Sequence, residues 1–170
     1  SKMGHTIHIL SQEKEDQFAR EGEAVLELLK KYNIAWDHID YKNKPPIIQP
    51  LIQRQAIKKR AVKIVATKAI DLVHCRSYMA GWVGLQIKNK SGTPFVFDMR
   101  GFWADERKEG GIWPHSNPIY RIVYHRVKQL ERKLLFHANH IVSLTHKGKR
   151  IVAGWNHIRD FNDSIPVIPC

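Results

Sequence analysis

One stretch of sequence decides the fold. Residues 92–107 read Gly-Thr-Pro-Phe-Val-Phe-Asp-Met-Arg-Gly-Phe-Trp-Ala-Asp-Glu-Arg. The run at 94–98 is short and largely apolar, which is typical of a strand buried on both faces. Glycines, prolines and tryptophans in the following segment, 99–118, predict an irregular but ordered loop. Because this loop leaves the carboxyl end of a predicted parallel strand, it lies where open α/β sheets bind ligands.

Similar short apolar runs recur on both sides of this stretch, at 5–10, 35–40, 70–74, 140–144 and 165–168. Apolar residues at helical spacing predict helices in four of the gaps, at 17–31, 57–65, 78–90 and 119–136. Strands that alternate with helices predict parallel pairing through right-handed crossovers. We therefore expect an α/β fold with a doubly wound, Rossmann-like parallel sheet and helices on both faces, formed by residues 1–170 as one domain.

The composition fits a folded domain of ordinary size. The chain has 170 residues, of which 43% are hydrophobic and 26% charged. No stretch has the ~18 uncharged apolar residues that a membrane-spanning helix needs. The two cysteines, Cys75 and Cys170, lack CxxC or zinc-ligand spacing. We therefore expect reduced thiols and a cytosolic protein.

The charge is strongly basic and unevenly distributed. The formal net charge is +12, which predicts an anionic partner or surface. Residues 53–68 carry six lysines and arginines and no acid, and residues 119–150 carry eight with the single acid Glu131. Nucleic acid, anionic lipid headgroups and phosphorylated substrates all fit this pattern, and charge alone does not choose among them.

Polar residues cluster where two predicted strands end. His74, Arg76 and Ser77 follow one strand, and Arg100 and Gly101 follow the next. Since the carboxyl ends of parallel strands share one edge, we expect both groups to line one crevice. Arginines bind phosphate or sugar hydroxyls there, and glycine lets the backbone turn or approach a ligand closely.

The loop after Gly101 adds further candidates for a sugar site. Trp103 or Trp113 suits stacking on a pyranose ring, and the carboxylates of Asp105 and Glu106 suit hydrogen bonds from hydroxyls. A structural role is equally open for each of them. The acids then form surface ion pairs with neighbouring cations, and the tryptophans hold the loop against the rest of the domain.

Several cofactor and catalytic motifs are absent from the sequence. It contains no GxGxxG, GxSxG or HExxH motif, and Lys-Gly-Lys at 147–149 lacks the other positions of a phosphate-binding loop. The ten histidines are scattered, without the spacing of a ligand set. We therefore expect neither a bound metal nor a cofactor.

Five segments of the sequence form a recognisable set, at 71–74, 92–98, 100–107, 128–145 and 165–169. Together they resemble the amino-terminal domain of a GT-B fold glycosyltransferase of the large retaining group, family 4. The segment at 71–74 is similar to the family's DxVH strand, and 92–98 to its G-x-P-hydrophobic strand. The segment at 100–107 is similar to a loop found in a subset of these enzymes. The segment at 128–145 is similar to a family helix and strand, with Asn139 where aspartate is commoner, and 165–169 to the crossing into a second domain.

The resemblance implies an activity and says which half of the enzyme this chain would form. It implies metal-independent transfer of a sugar from a nucleotide-sugar donor to a glycan or lipid-linked acceptor, with retention of configuration. Residues 1–170 would be the acceptor-side half, lacking the family's first strand and its carboxy-terminal nucleotide-sugar domain, and inactive alone. Family members commonly have a histidine after the strand at 94–98. Arg100 and Gly101 occupy those positions here, which makes Arg100 the candidate for contacting the sugar.

Acceptors of this group are often lipid-linked, so the resemblance also gives the basic helices a role. It implies a cytoplasmic protein, peripheral on the membrane, that meets anionic headgroups through Arg121, Lys128 and Arg132, or through Lys58, Lys59 and Lys63. The alternatives are an ordinary solvated helix face, a nucleic-acid-binding module and a sugar-nucleotide epimerase of the same fold. The sequence lacks helix-turn-helix, RNP and KH patterns, so we expect no nucleic-acid partner.

Overall fold

The structure is a computed structural model that describes residues 4–42, 49–114, 116–155 and 165–169, and the side chains of all of these except 49–51. Contacts divide the chain into two compact units, residues 1–64 and 65–170. No helix in these described ranges is both long and apolar enough to cross a membrane.

The first unit contains a two-stranded parallel sheet. β1 (Ile7–Glu13) pairs with β2 (Ile34–Asp40), and α1 (Glu15–Lys31) connects them. Phe18 of α1 stacks on the ring of His38, with 4.3 Å between the ring centroids. α2 (Gln49–Lys68) follows and continues into the second unit.

The second unit contains a three-stranded parallel sheet in the order β3-β4-β5. Its elements in chain order are β3 (Val73–Arg76), α3 (Ser77–Ser91), β4 (Phe95–Met99), α4 (Trp103–Glu109), α5 (Pro118–His137), β5 (His140–Ser143) and α6 (His146–Ala153). In place of the strand predicted at 165–168, the chain forms a single parallel bridge between Val167 and Ser143.

The core of this unit lies where α3 and α5 pack on β4. Phe95, Phe97 and Leu134 are completely buried there. Glycines let α3 lie close to α5 and to the sheet: a Cβ on Gly81 would lie 2.8 Å from Leu134 Cδ1 of α5, and one on Gly84 would collide with the sulfur of Cys75 in β3. Close packing of α3 therefore depends on glycine at these two positions.

The predicted fold class is confirmed, since parallel strands alternate with helices in the described residues. The strands do not form the single continuous sheet that was expected, because β1 and β2 pair only with each other within the described ranges. Sequence periodicity predicts where strands lie and which faces they bury, but it carries no information about which strands pair.

Part of the loop predicted at 99–118 is a helix. α4 has Asp105 and Glu106 in its first turn and Arg107 and Lys108 in its last, an order that complements the helix dipole. α6 was also not predicted. Its N-cap is Thr145, whose hydroxyl accepts a hydrogen bond from the Gly148 N–H at 3.0 Å.

Candidate functional site

Three polar side chains meet at the carboxyl ends of β3 and β4. His74 Nε2 lies 3.3 Å from Asp98 Oδ2, and Arg100 Nη1 lies 3.6 Å from the same oxygen. The side chain of Asp98 is 9% exposed, whereas that of His74 is 59% exposed. One buried carboxylate therefore holds two nitrogen-bearing groups that reach the surface. We call His74, Asp98 and Arg100 the edge cluster.

The pleat of the strands explains this arrangement. Successive side chains of a strand point to opposite faces, and Phe95, Phe97 and Met99 of β4 are buried in the core. Asp98 therefore points to the other face, which His74 of β3 shares. Arg76 is exposed at the end of β3 and is directly opposite Asp98 in the register. The sequence-predicted His74, Arg76 and Arg100 are thus brought to one edge.

Asp98 has an unused acceptor. Its Oδ1 is buried and accepts no hydrogen bond from any described residue. Buried polar atoms are normally paired, because an unpaired one costs roughly 1–3 kcal/mol. Asp98 Oδ1 is not accessible from the surface, whereas His74 and Arg100 are at least partly exposed and carry N–H groups, which bind sugar hydroxyls and phosphate oxygens.

The backbone on both sides of the edge cluster is unusual. Ser77, the first residue of α3, has φ +70, in the left-handed region that side chains other than glycine rarely adopt. Gly101 has φ +155, and a Cβ there would collide with the carboxylate of Glu106. Such conformations concentrate at functional sites. Ser77 and Gly101 therefore give the backbone beside the edge cluster two uncommon conformations, and the carboxylate of Glu106 occupies the space that a side chain at position 101 would need.

A second polar group lies under the loop, between α3, α4 and α5. Glu131 is completely buried, and its carboxylate accepts hydrogen bonds from the Tyr78 hydroxyl and the Lys128 ammonium. Lys128 Nζ also lies 2.9 Å from Asp105 Oδ2, and the Tyr124 hydroxyl donates to Asp105 Oδ1 at 2.7 Å. We call these five residues the α5 network.

The protonation of this network follows from its surroundings. Burial raises the pKa of the Tyr78 phenol, and the negative charge of Glu131 raises it further. Burial alone would lower the pKa of Lys128, but hydrogen bonds to Glu131 and Asp105 outweigh it and hold that pKa above its usual value. Tyr78 therefore remains a neutral hydrogen-bond donor and Lys128 a cation at physiological pH.

The structure changes the expectation for two charged residues. Lys128 does not project outward as predicted: its side chain is 20% exposed and its ammonium lies between two carboxylates. Its position three residues before a buried glutamate turns it inward. Both oxygens of Asp105 accept hydrogen bonds from α5, so its contacts are those of the structural alternative.

Trp103 packs against its own loop. Its ring centroid lies 5.2 Å from that of Trp113 and 6.0 Å from that of Tyr78. The guanidinium carbon of Arg107 lies 5.0 Å from the Trp103 ring centroid, a cation–π contact. These contacts hold the Trp103 ring against neighbouring side chains, as expected if the tryptophan has a structural role.

Sequence reasoning missed Asp98, Tyr78, Tyr124 and Glu131. For two of these residues, the sequence contained an indication of their role. Asp98 is the only charged residue in an otherwise apolar strand, and Glu131 is the only acid in a basic segment of 32 residues, 119–150. An isolated charge in such a setting indicates a buried or functional group. The two tyrosines had no comparable signal.

The described residues contain no group of three or more histidine, cysteine, aspartate or glutamate side chains arranged to hold a metal ion. That the protein uses neither a metal nor a cofactor stays a prediction.

The fold is similar to that of HepE (Alr3699) from Anabaena, whose crystal structure is a complex with UDP and glucose. The TM-score is 0.52 at 14% sequence identity, and the similarity covers 97% of this chain and 44% of HepE. This chain therefore spans less than half the length of that protein. No curated protein sequence matches the chain significantly. Residues 1–170 match Glycosyltransferase Family 4 along their whole length. The chain therefore belongs to glycosyltransferase family 4, as an amino-terminal domain of the GT-B type.

Proposed function

We propose that the chain is the acceptor-side domain of an enzyme that transfers a sugar from a nucleotide-sugar donor to a glycan or lipid-linked acceptor, with retention of configuration. The observation that carries this proposal is the edge cluster, at the carboxyl edge of a parallel sheet in a glycosyltransferase family. The UDP and glucose in the HepE complex support a nucleotide-sugar donor.

In this proposal the edge cluster recognises the substrate. The buried carboxylate of Asp98 lies 3.3 Å from His74 and 3.6 Å from Arg100, and the N–H groups of these two side chains bind the substrate. The guanidinium of Arg100 offers several N–H donors, which stabilise negative charge developing on the departing diphosphate. The bond from the anomeric carbon to the phosphate oxygen breaks, the bond to the acceptor oxygen forms on the same face, and the acceptor proton leaves with the diphosphate.

We also propose that a second domain completes the donor site. The support is the coverage of HepE, since this chain corresponds to 44% of that protein. A cleft enzyme needs both walls to align its substrates and to exclude water. Residues 1–170 alone should therefore catalyse no transfer.

A membrane surface is proposed for the outer face of α5, defined here as Ile119, Arg121, Ile122, Arg126, Arg132, Lys133 and Phe136. All seven side chains are exposed, with Ile119 at 67% and Ile122 at 61%. The only acid of α5, Glu131, is completely buried, so this side of the helix carries no carboxylate, and the exposed His125 and Gln129 lie among its cationic and apolar residues. That combination suits the boundary between anionic headgroups and acyl chains.

A transfer assay tests the proposed function. The complete enzyme and residues 1–170 are each incubated with UDP-, GDP- and ADP-sugars and a crude glycolipid acceptor. We expect transfer by the complete enzyme from one nucleotide class, retention of the anomeric configuration in the product, and no transfer by residues 1–170. A folded complete enzyme that neither transfers nor hydrolyses any of these donors would contradict the proposal.

A further inference from the structure

The turn that carries Arg100 and Gly101 is tied to a completely buried carboxylate, that of Glu131. The Tyr78 hydroxyl hydrogen-bonds Glu131 and also lies 3.1 Å from the carbonyl oxygen of Gly101. We propose that Tyr78 and Glu131 are positioning residues, which fix this turn and thereby the direction in which Arg100 meets its ligand. The kinetic consequence rests on the proposed function, whereas the structural consequence does not.

The first step of the argument is that the tether reaches both sides of the turn. On one side, the Tyr78 hydroxyl shares its single proton between the Glu131 carboxylate and the Gly101 carbonyl oxygen. On the other, Lys128 links Asp105 of α4 to Glu131. The segment between these attachments contains only residues 102–104. One carboxylate, that of Glu131, therefore anchors the turn and the helix that follows it.

The second step is that the turn needs an anchor. Gly101 has a backbone conformation that favours glycine, and glycine loses more conformational freedom on folding than any other residue. Arg100 is adjacent to Gly101 and lies 3.6 Å from Asp98, which is long for a hydrogen-bonded pair. The ion pair alone is therefore a weak restraint on Arg100, and the tethered backbone supplies a further one.

The third step separates positioning from simple packing. The Tyr78 ring packs edge-on against Phe97, with 5.7 Å between the centroids, and also contacts Trp103. Tyr78→Phe keeps these ring contacts and removes only the hydroxyl. Glu131→Gln keeps the shape of the side chain and removes its charge. A packing role predicts little change in the first variant, whereas positioning predicts a looser turn in both.

Amide hydrogen exchange of the complete enzyme tests the structural consequence. We expect residues 99–105 to exchange about tenfold faster in Tyr78→Phe and Glu131→Gln, because the local opening that exposes these amides becomes easier. Tyr120→Phe and Glu109→Gln are the matched controls, since they remove a hydroxyl and a charge outside the network, and they should behave as wild type. Unchanged protection of this segment in both test variants would overturn the proposal.

A double-mutant cycle tests the kinetic consequence. If Tyr78 acts through Arg100, Tyr78→Phe should lower kcat/KM about tenfold in wild type and have almost no effect in an Arg100→Ala background. Equal effects in both backgrounds would overturn positioning through Arg100, because a merely structural loss adds independently. If the complete enzyme shows no transfer, the proposed function fails, and hydrogen exchange still decides whether the turn is tethered.

Discussion

The Tyr78 hydroxyl of α3 donates to the carboxylate of Glu131 of α5, which is completely buried. Lys128 donates to the same carboxylate, so removing Glu131 takes one acceptor from each donor and leaves Lys128 with Asp105 and Tyr78 with the Gly101 carbonyl. Breaking a buried pair from one side costs about 3 kcal/mol. We therefore expect Glu131→Ala to lower the free energy of unfolding by about this amount, and Glu131→Gln by less, as measured by urea denaturation. Equal stability of Glu131→Ala and wild type would show that the network contributes nothing to folding.

Stability should fall at alkaline pH because of a buried thiol. Burial raises the pKa of Cys75 from its ordinary 9.0 to about 12. Between these values the unfolded chain releases a proton that the folded chain keeps, so this contribution is complete below pH 9 and is lost as the pH rises towards 12. The expected slope is about 1.4 kcal/mol per pH unit, with Tyr78 adding to it above about pH 10. Cys75→Ala should remove the first part of this slope. A free energy of unfolding of the wild-type protein that stays constant from pH 9 to 10 would contradict this explanation.

Gly84 should tolerate no side chain. A Cβ there would collide with Cys75 Sγ and lie 3.1 Å from Phe95 Cδ2, so Gly84→Ala forces α3 away from β3. Such overpacking costs about 1–3 kcal/mol. Cys75→Ala removes the sulfur and should recover part of this loss, a coupling that thermal or urea unfolding of the double variant measures. Gly154→Ala is the control, since its Cβ would meet backbone oxygens only at 3.5 Å and beyond. A Gly84→Ala variant as stable as this control would refute the close approach.

The outer face of α5 should bind acidic vesicles in a salt-sensitive manner. Each lysine or arginine near an anionic surface contributes about 1 kcal/mol, and buried apolar side chains add to this. In a flotation assay we expect binding to vesicles rich in anionic lipid, weaker binding at high salt, and little binding to neutral vesicles. Ile122→Ser combined with Phe136→Ser should weaken binding without changing the charge. Lys128→Gln should not weaken it directly, because Lys128 lies in the network rather than on this face. Binding that is independent of salt and of these two apolar residues would remove this surface from consideration.

The elements that carry a local signature could be predicted from the sequence. α5 was predicted at 119–136 and is observed at Pro118–His137, where Asn117 caps its first turn and Pro118 opens it. The edge cluster could likewise be located in advance, since residues that follow parallel strands must gather at one edge. His74 and Arg100 were found in this way.

The remaining features depend on partners far apart in the sequence. Lys128 was expected to point outward because charged helix residues usually do, and only Asp105 of α4 and the buried Glu131 explain its inward direction. The pairing of β1 with β2 alone within the described residues is also a long-range property. α4 was missed because its seven residues lie between glycines and are mostly charged, a composition that resembles a loop.

The most direct measurement of the central claim is the steady-state kinetics of Arg100→Ala in the complete enzyme. If the edge cluster binds the substrate, loss of the guanidinium should lower kcat/KM about 100-fold, since charge-assisted hydrogen bonds contribute about 1.5–3 kcal/mol each. Arg100→Lys should recover only part of the activity, because lysine cannot reproduce the planar fork of donors. Arg20→Ala, on the exposed surface of α1, should leave the kinetics unchanged. A folded Arg100→Ala enzyme with wild-type kinetics would contradict the assignment of the site.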